Sequence, residues 1–163
     1  MTKSNTAKGW LFSVLLAFCP YCLATPTLEK VLDGDTVVIR DEGHTYHLRL
    51  LDIDAPELHQ AFGKQSRRSL NTLCSQAEIE VHVQGQDMYG RTLGHLYCGH
   101  MDASQSQIAV GMAWFNQRYS HRSELKTLQQ QAQQQGLGLW QQADPTPPWQ
   151  WRKLYGQHYR HQE

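Results

Sequence analysis

Between residues 28 and 98 the chain alternates apolar and polar positions in short runs separated by turn residues. Thr36-Val-Val-Ile-Arg40 is β-branched and follows a turn at Asp33-Gly34-Asp35, and Asp41-Glu42-Gly43 turns the chain back. From His44 to Ile53, Tyr46, Leu48 and Leu50 fall on one face of a strand and Leu51 and Ile53 on the other, until Ala55-Pro56 ends it. Residues 64–76 change period: Leu70, Leu73, Cys74 and Ala77 stand at helical spacing. Ile79, Val81 and Val83 restore the strand period, residues 87–90 form a turn, and 91–98 close a hairpin. Two further helices are expected, a short one over 104–112 stopped at Gly111 and a longer one over 123–135 with Leu125, Leu128 and Ala132 inward. Its glutamine run reads as a solvated face. Pro145, Pro147 and Pro148 then break regular structure, and Trp149 and Trp151 punctuate a polar tail in which they are expected to pack inward. The pattern predicts an α+β, mainly β fold: a five-stranded barrel of the oligonucleotide/oligosaccharide-binding (OB) type with about three helices.

The first 24 residues stand apart. Lys3 and Lys8 precede a short apolar run from Trp10 to Phe18, which leads to the small residue Ala24, the layout of a cleavable export signal. The expected organisation is therefore a signal peptide over 1–24, an OB domain over 25–140 and a Pro/Trp-containing tail over 141–163. The expected location is the periplasm or the medium. Cys19-Pro-Tyr-Cys22 has the spacing of a thiol-exchange motif but lacks the flanking strand and long helix such motifs need. Of the four cysteines only Cys74 and Cys98 then remain, either bonded after export or buried as small apolar residues. The 163 residues carry 15 Lys plus Arg against 15 Asp plus Glu, which excludes a polycationic coating protein but leaves room for a local basic cleft. No apolar stretch is long enough to span a membrane, so no stable insertion is expected once the signal is removed.

Three clusters carry possible chemistry. Asp33, Asp35, Asp52, Asp54 and Glu57 sit at strand ends, and carboxylates two residues apart on a strand point the same way. Each pair could thus face one pocket, where a hard cation with oxygen ligands would relieve their repulsion. Taken alone, Asp-Gly-Asp is more often a solvated turn. Arg49 and Arg91 offer planar forks suited to two phosphate oxygens. Tyr89, Trp114, Phe115 and Tyr119 are aromatics that could stack bases, although Trp114 and Phe115 fit a core better. His158 and His161 have a metal-site spacing without any cysteine or carboxylate partner, and read as exposed tail.

Taken in order, Val31-Leu-Asp-Gly-Asp-Thr36, Leu48-Arg-Leu-Leu-Asp-Ile-Asp-Ala-Pro-Glu57 and Asp87-Met-Tyr-Gly-Arg91 closely resemble the thermonuclease (staphylococcal nuclease-like) family over residues 29 to 140. The resemblance implies a calcium-dependent endonuclease acting on DNA and RNA and leaving 3′-phosphates. Arg49, Glu57 and Arg91 would be catalytic. Asp35, Asp54 and the main-chain carbonyl of Ala55 would hold Ca²⁺, with Mn²⁺ and Mg²⁺ as alternatives. Asp33 and Thr36 would support them from behind, and Tyr89 and Tyr119 would contact the nucleotide. Met88, where the family often has lysine, and Asn116-Gln117, where it often has tyrosines, imply altered substrate binding. The chain is expected to act as a monomer. The rival reading is a barrel that binds single strands without cutting them, for which clustered acids have no use.

Overall fold

The structure, a computed structural model, describes residues 25–159. The signal-peptide reading, the Cys19–Cys22 motif and His161 lie outside the described residues. Three antiparallel strands come first: β1 (Thr27–Val31), β2 (Thr36–Asp41) and β3 (His44–Leu50). A two-residue strand β4 (Ile53–Asp54) and helix α1 (Gly63–Cys74) follow, then β5 (Ile79–Gln86), β6 (Thr92–Cys98) and the short β7 (Met101–Asp102). Helix α2 (Ala103–Ala109), strand β8 (Trp114–Phe115), helix α3 (Ser123–Gln134), a 3-10 turn over Gly138–Gln141 and helix α4 (Pro148–Tyr159) complete the chain.

In the main sheet the strands run in the order β1-β2-β3-β6-β5, and the single parallel pairing, β3 with β6, joins the meander to the hairpin. Register shifts between Leu28 and Lys30 in β1 and between Val83 and Gly85 in β5 add local bends, which is how a short sheet curls around a core. With α1 inserted between the two halves of the sheet, this is the α+β, OB-type arrangement the alternation predicts. The core lies against its concave face: Val37, Ile39, Leu48, Leu50 and Leu96 from the strands meet Leu70, Ile108 and Leu125 from α1, α2 and α3, all sealed from solvent. At about 25 cal/mol per Å² of apolar surface removed from water, each such side chain contributes roughly 2 kcal/mol before chain entropy is counted.

Cys74 at the end of α1 and Cys98 at the end of β6 form a disulfide, with their Cα atoms 4.9 Å apart. It fastens the inserted helix to the sheet. Two sequence expectations need correction. The polar tail contains a fourth helix, α4, because Pro148 stands at its first position, where a missing N–H and a fixed φ favour helix entry. The glutamine run is also not wholly solvated, since Gln129 turns inward and its Oε1 accepts the Phe115 N–H at 2.8 Å.

Candidate active site

The site begins with a turn that glycine permits. Between β1 and β2, Asp33 accepts the N–H of Asp35 at 2.9 Å through Oδ1, so its carboxylate shapes the turn and aims Asp35 inward. A Cβ on Gly34 would collide with Ser66 of α1 and with Ala55, so only glycine lets this turn pack so tightly. From α2, buried Gln107 donates to Gly34 O at 2.8 Å and to Ser66 O at 3.1 Å, bracing turn and helix together. Thr36 is buried, and its hydroxyl donates to Asp35 Oδ1 at 3.1 Å. Asp33 and Thr36 thus both contact Asp35.

Strand β3 supplies Arg49 and the bend after it supplies Asp54. Leu48 and Leu50 point into the core, which leaves Arg49 on the opposite face. Its Nε lies 3.1 Å from Asp35 Oδ1 and its Nη2 3.2 Å from Asp54 Oδ1. Its Nη1 donates to the carbonyls of Leu50 at 2.5 Å and Ile53 at 3.0 Å. These contacts leave an Nη2 hydrogen for a further acceptor. Asp35 and Asp54 are only 5% and 3% exposed, and Arg49 joins them. Burial pushes the Asp35 carboxyl well above its ordinary value; Arg49 opposes this, Asp33 and Asp54 add to it, and the Ala55 N–H, donated at 2.5 Å to Oδ2, partly relieves it. Two buried carboxylates side by side, with Asp35 pushed upward by burial, offer oxygen donors of the kind a hard divalent cation takes. Among the described residues no three His, Cys, Asp or Glu side chains converge as a metal cage.

Asp52 corrects a simple sequence rule. Alternation would place it beside Asp54, but Leu51 and Asp52 form a bend and Asp52 has φ 70°, so the two carboxylates diverge. Asp52 Oδ2 instead lies 3.3 Å from Arg122 Nη1 and 3.6 Å from His95 Nδ1, and Arg122 also reaches Asp102 at 2.8 Å. This second charged cluster ties the bend between β3 and β4 to β6, β7 and the start of α3, and leaves Asp54 to the site.

Glu57 follows on the same segment, half-buried, with its N–H donated to Gln60 Oε1 at 3.2 Å. Gly63 lies so close to the Glu57 carbonyl that a Cβ there would overlap it. Glu57 joins the carboxylates through a residue the sequence did not single out. Arg152 of α4 places Nη1 and Nη2 at 3.0 and 2.7 Å from the two oxygens of Asp54, and Nη1 also lies 2.7 Å from Glu57 Oε1. The Pro-Pro-Trp-x-Trp run just before it resembles the tail of exported bacterial members of the thermonuclease-like family, but that run gives Arg152 no role, because its placement depends on how the tail docks. Trp149 meets Trp114 edge-on with centroids 5.6 Å apart, and Trp114 in turn meets Trp140 at 4.5 Å. Trp114 pairs with Asp54 across β4 and β8, and Gln60 Nε2 donates to Thr146 O at 2.6 Å. The tail is thus seated beside the site.

Arg91 is not drawn into the cluster. Asp87 holds it, accepting from Arg91 Nε at 2.8 Å and from the N–H groups of Arg91 at 3.0 Å and Tyr89 at 2.9 Å. Burial alone would raise Asp87, but those N–H groups and the Arg91 guanidinium outweigh it and hold the carboxyl below its ordinary value. The register still assigns Arg91 a useful side of the sheet. Arg49 lies opposite Leu93, so Arg91, two positions earlier, projects on the same face as Arg49. Tyr89 and Tyr119 are 79% and 72% exposed, with Arg91 over the first ring at 5.8 Å and Arg118 over the second at 5.4 Å. Phe115 is core, as expected, and Met88 is open to solvent.

The comparisons with known proteins fit this geometry. Residues 47–142 match the family described as staphylococcal nuclease homologue. This chain belongs to that family. The match contains Arg49, Asp54, Glu57 and Arg91, and stops short of Arg152. The chain is 40% identical over 124 residues to a protein from Escherichia coli O157:H7 named as an uncharacterized endonuclease, covering 76% of this chain and 81% of that one. It is 37% identical over 144 residues to a protein of the same name from Haemophilus influenzae, covering 88% and 80%. It is also 36% identical over an aligned 135 residues to a micrococcal nuclease from Shigella flexneri, covering 76% and 78%. Nuclease is the activity that membership of this family assigns to the chain.

Proposed function

We propose that this chain is an exported endonuclease that hydrolyses phosphodiester bonds in DNA and RNA with the help of Ca²⁺ and leaves 3′-phosphate ends. The observation that carries the proposal is Arg49, locked between two buried carboxylates and two backbone carbonyls with a hydrogen to spare, while Glu57 meets the same cluster. Asp35, Asp54 and the Ala55 carbonyl would hold the cation. When bound, the ion supplies Lewis-acid polarisation of the phosphate and offsets its charge. The other tasks fall to the protein. Arg49 is fixed before substrate arrives, so its fork loses little freedom when it donates to a non-bridging phosphate oxygen, and the donation strengthens as charge builds there. Arg91, on the same face, can trade Asp87 for the phosphate as a second donor. Glu57 takes the proton of the attacking water. Tyr89 and Tyr119 present exposed rings for bases to stack on. Asp33 and Thr36 keep Asp35 in place.

The test is digestion of duplex DNA, denatured DNA and RNA by the protein, with Ca²⁺, Mn²⁺, Mg²⁺ or EDTA, followed by end-group analysis. Cutting in Ca²⁺ that EDTA abolishes, with 3′-phosphate ends, is expected. Intact nucleic acid retarded on a gel under every condition would replace the enzyme with a binding domain.

A further inference from the structure

Asp35, Asp54 and Glu57 face Arg49 and Arg152, so guanidinium charge already offsets much of the negative charge in this centre. A divalent cation entering it adds two more positive charges, and one guanidinium must yield ground. The two arginines are not equally free to do so. Arg49 is 14% exposed and is tied to the Leu50 and Ile53 carbonyls as well as to the carboxylates, so its loss would orphan backbone acceptors. Arg152 is 46% exposed, and its hydrogen bonds run to Asp54 and Glu57. It can turn into solvent without leaving a buried carbonyl unpaired. Its fork nonetheless covers both oxygens of Asp54, the arrangement in which a guanidinium competes best for a carboxylate. Nor is it a dangling side chain, because the Trp149–Trp114 contact and the Gln60–Thr146 hydrogen bond deliver α4 to the centre.

We infer that Arg152 is a positioning residue that competes with the divalent cation for Asp54 and Glu57, and thereby sets the cation concentration at which the centre fills. This rests on the cation site proposed above. In the cation-free protein Arg152 holds Asp54 and Glu57 in place; on filling, it gives up Asp54 and turns outward from the centre. Charge at position 152, more than shape, then decides cation affinity.

The experiment is calorimetric titration of Ca²⁺ into the folded protein without nucleic acid, comparing the native chain with Arg152→Lys, Arg152→Gln and Arg152→Glu, and with Asp54→Asn as the site control. Affinity should rise in the order native, Lys, Gln, Glu, with Arg152→Gln binding about tenfold tighter than native. Equal affinities across the series, or weaker binding by Arg152→Gln, would overturn the competition while leaving the cation site intact. Ca²⁺ binding that Asp54→Asn does not weaken would instead overturn the site itself. Because a variant could misfold, the native protein gives a second reading by nuclear magnetic resonance of arginine side chains. The Arg152 Nη hydrogens, slowed by pairing with Asp54, should exchange like those of free arginine once Ca²⁺ saturates the centre. Continued slow exchange at saturation would refute the inference.

Discussion

Arg49 and Glu57 carry different structural weights. Arg49, its side chain 14% exposed, is held between two buried carboxylates, so Arg49→Ala leaves uncompensated charge in the interior and should cost about 3–5 kcal/mol of stability besides activity. Glu57 sits at the rim, where Arg152 keeps Asp54 as a partner, so Glu57→Ala should unfold within a few degrees of native. Both should lower the rate of phosphodiester cleavage by about two to four decades. Thermal denaturation beside a nuclease assay separates the two losses, and an Arg49→Ala protein as stable as native would show that the ion pairs are energetically idle. Asp87 offers a pH test. Its carboxyl lies below the ordinary value of 3.8 in the folded chain. The stabilisation is therefore complete above that value and is lost as the pH falls through the folded one. Asp87→Asn should fall behind native stability above about pH 4, and the gap should narrow as the pH drops below that, as melting curves across the acid range would show. Individual residues were unevenly legible from the sequence. Asp35, Asp54, Arg49 and Glu57 are weak signals by spacing alone and are marked out by the family resemblance of their segments, and the structure gathers them. Asp52 misleads because one left-handed residue cancels the strand period, and Arg152 is silent because the tail motif before it says nothing of where the tail docks.

Periodicity works at the level of elements because most of them bury one face. The longer strands and helices from β2 to α3 appear within a few residues of where the alternation puts them, apart from the strand over 44–53, which bends into β3 and β4, while the two-residue strands β7 and β8 are too short for any period to mark. That bend aims Asp54 at the centre, so the rule fails at a functional position. Helix α4 escaped because its prolines suggest irregular chain, whereas Pro148 opens a helix held by tryptophan contacts made far away in sequence. The Asp33–Asp35 turn makes a prediction of its own. Gly34→Ala pushes a methyl group into Ser66 and Ala55, and should cost about 1–3 kcal/mol while loosening Asp35. Chemical denaturation measures the first effect and Ca²⁺ affinity the second; an alanine variant of native stability would mean that α1 can retreat. The disulfide closes a loop with a sequence separation of 24, so reducing it should lower stability by about 3 kcal/mol, as denaturant midpoints with and without reductant would show.

For the molecule as a whole, charge is arranged rather than accumulated. Its 15 basic and 15 acidic residues cancel, yet guanidiniums converge on two places, one around Asp35 and Asp54 and one around Asp52 and Asp102. Composition could exclude a coating protein and no more; the spatial sorting that makes one cluster reactive and the other structural requires the fold. The Cys74–Cys98 bond extends this to the life of the protein. Glutathione in a cytosol would keep newly made copies unbridged, and such copies would open more often and expose more chain to proteases. With export as proposed above, a copy left behind would be both frail and short-lived, and oxidation after transport would serve as the step that makes the molecule durable.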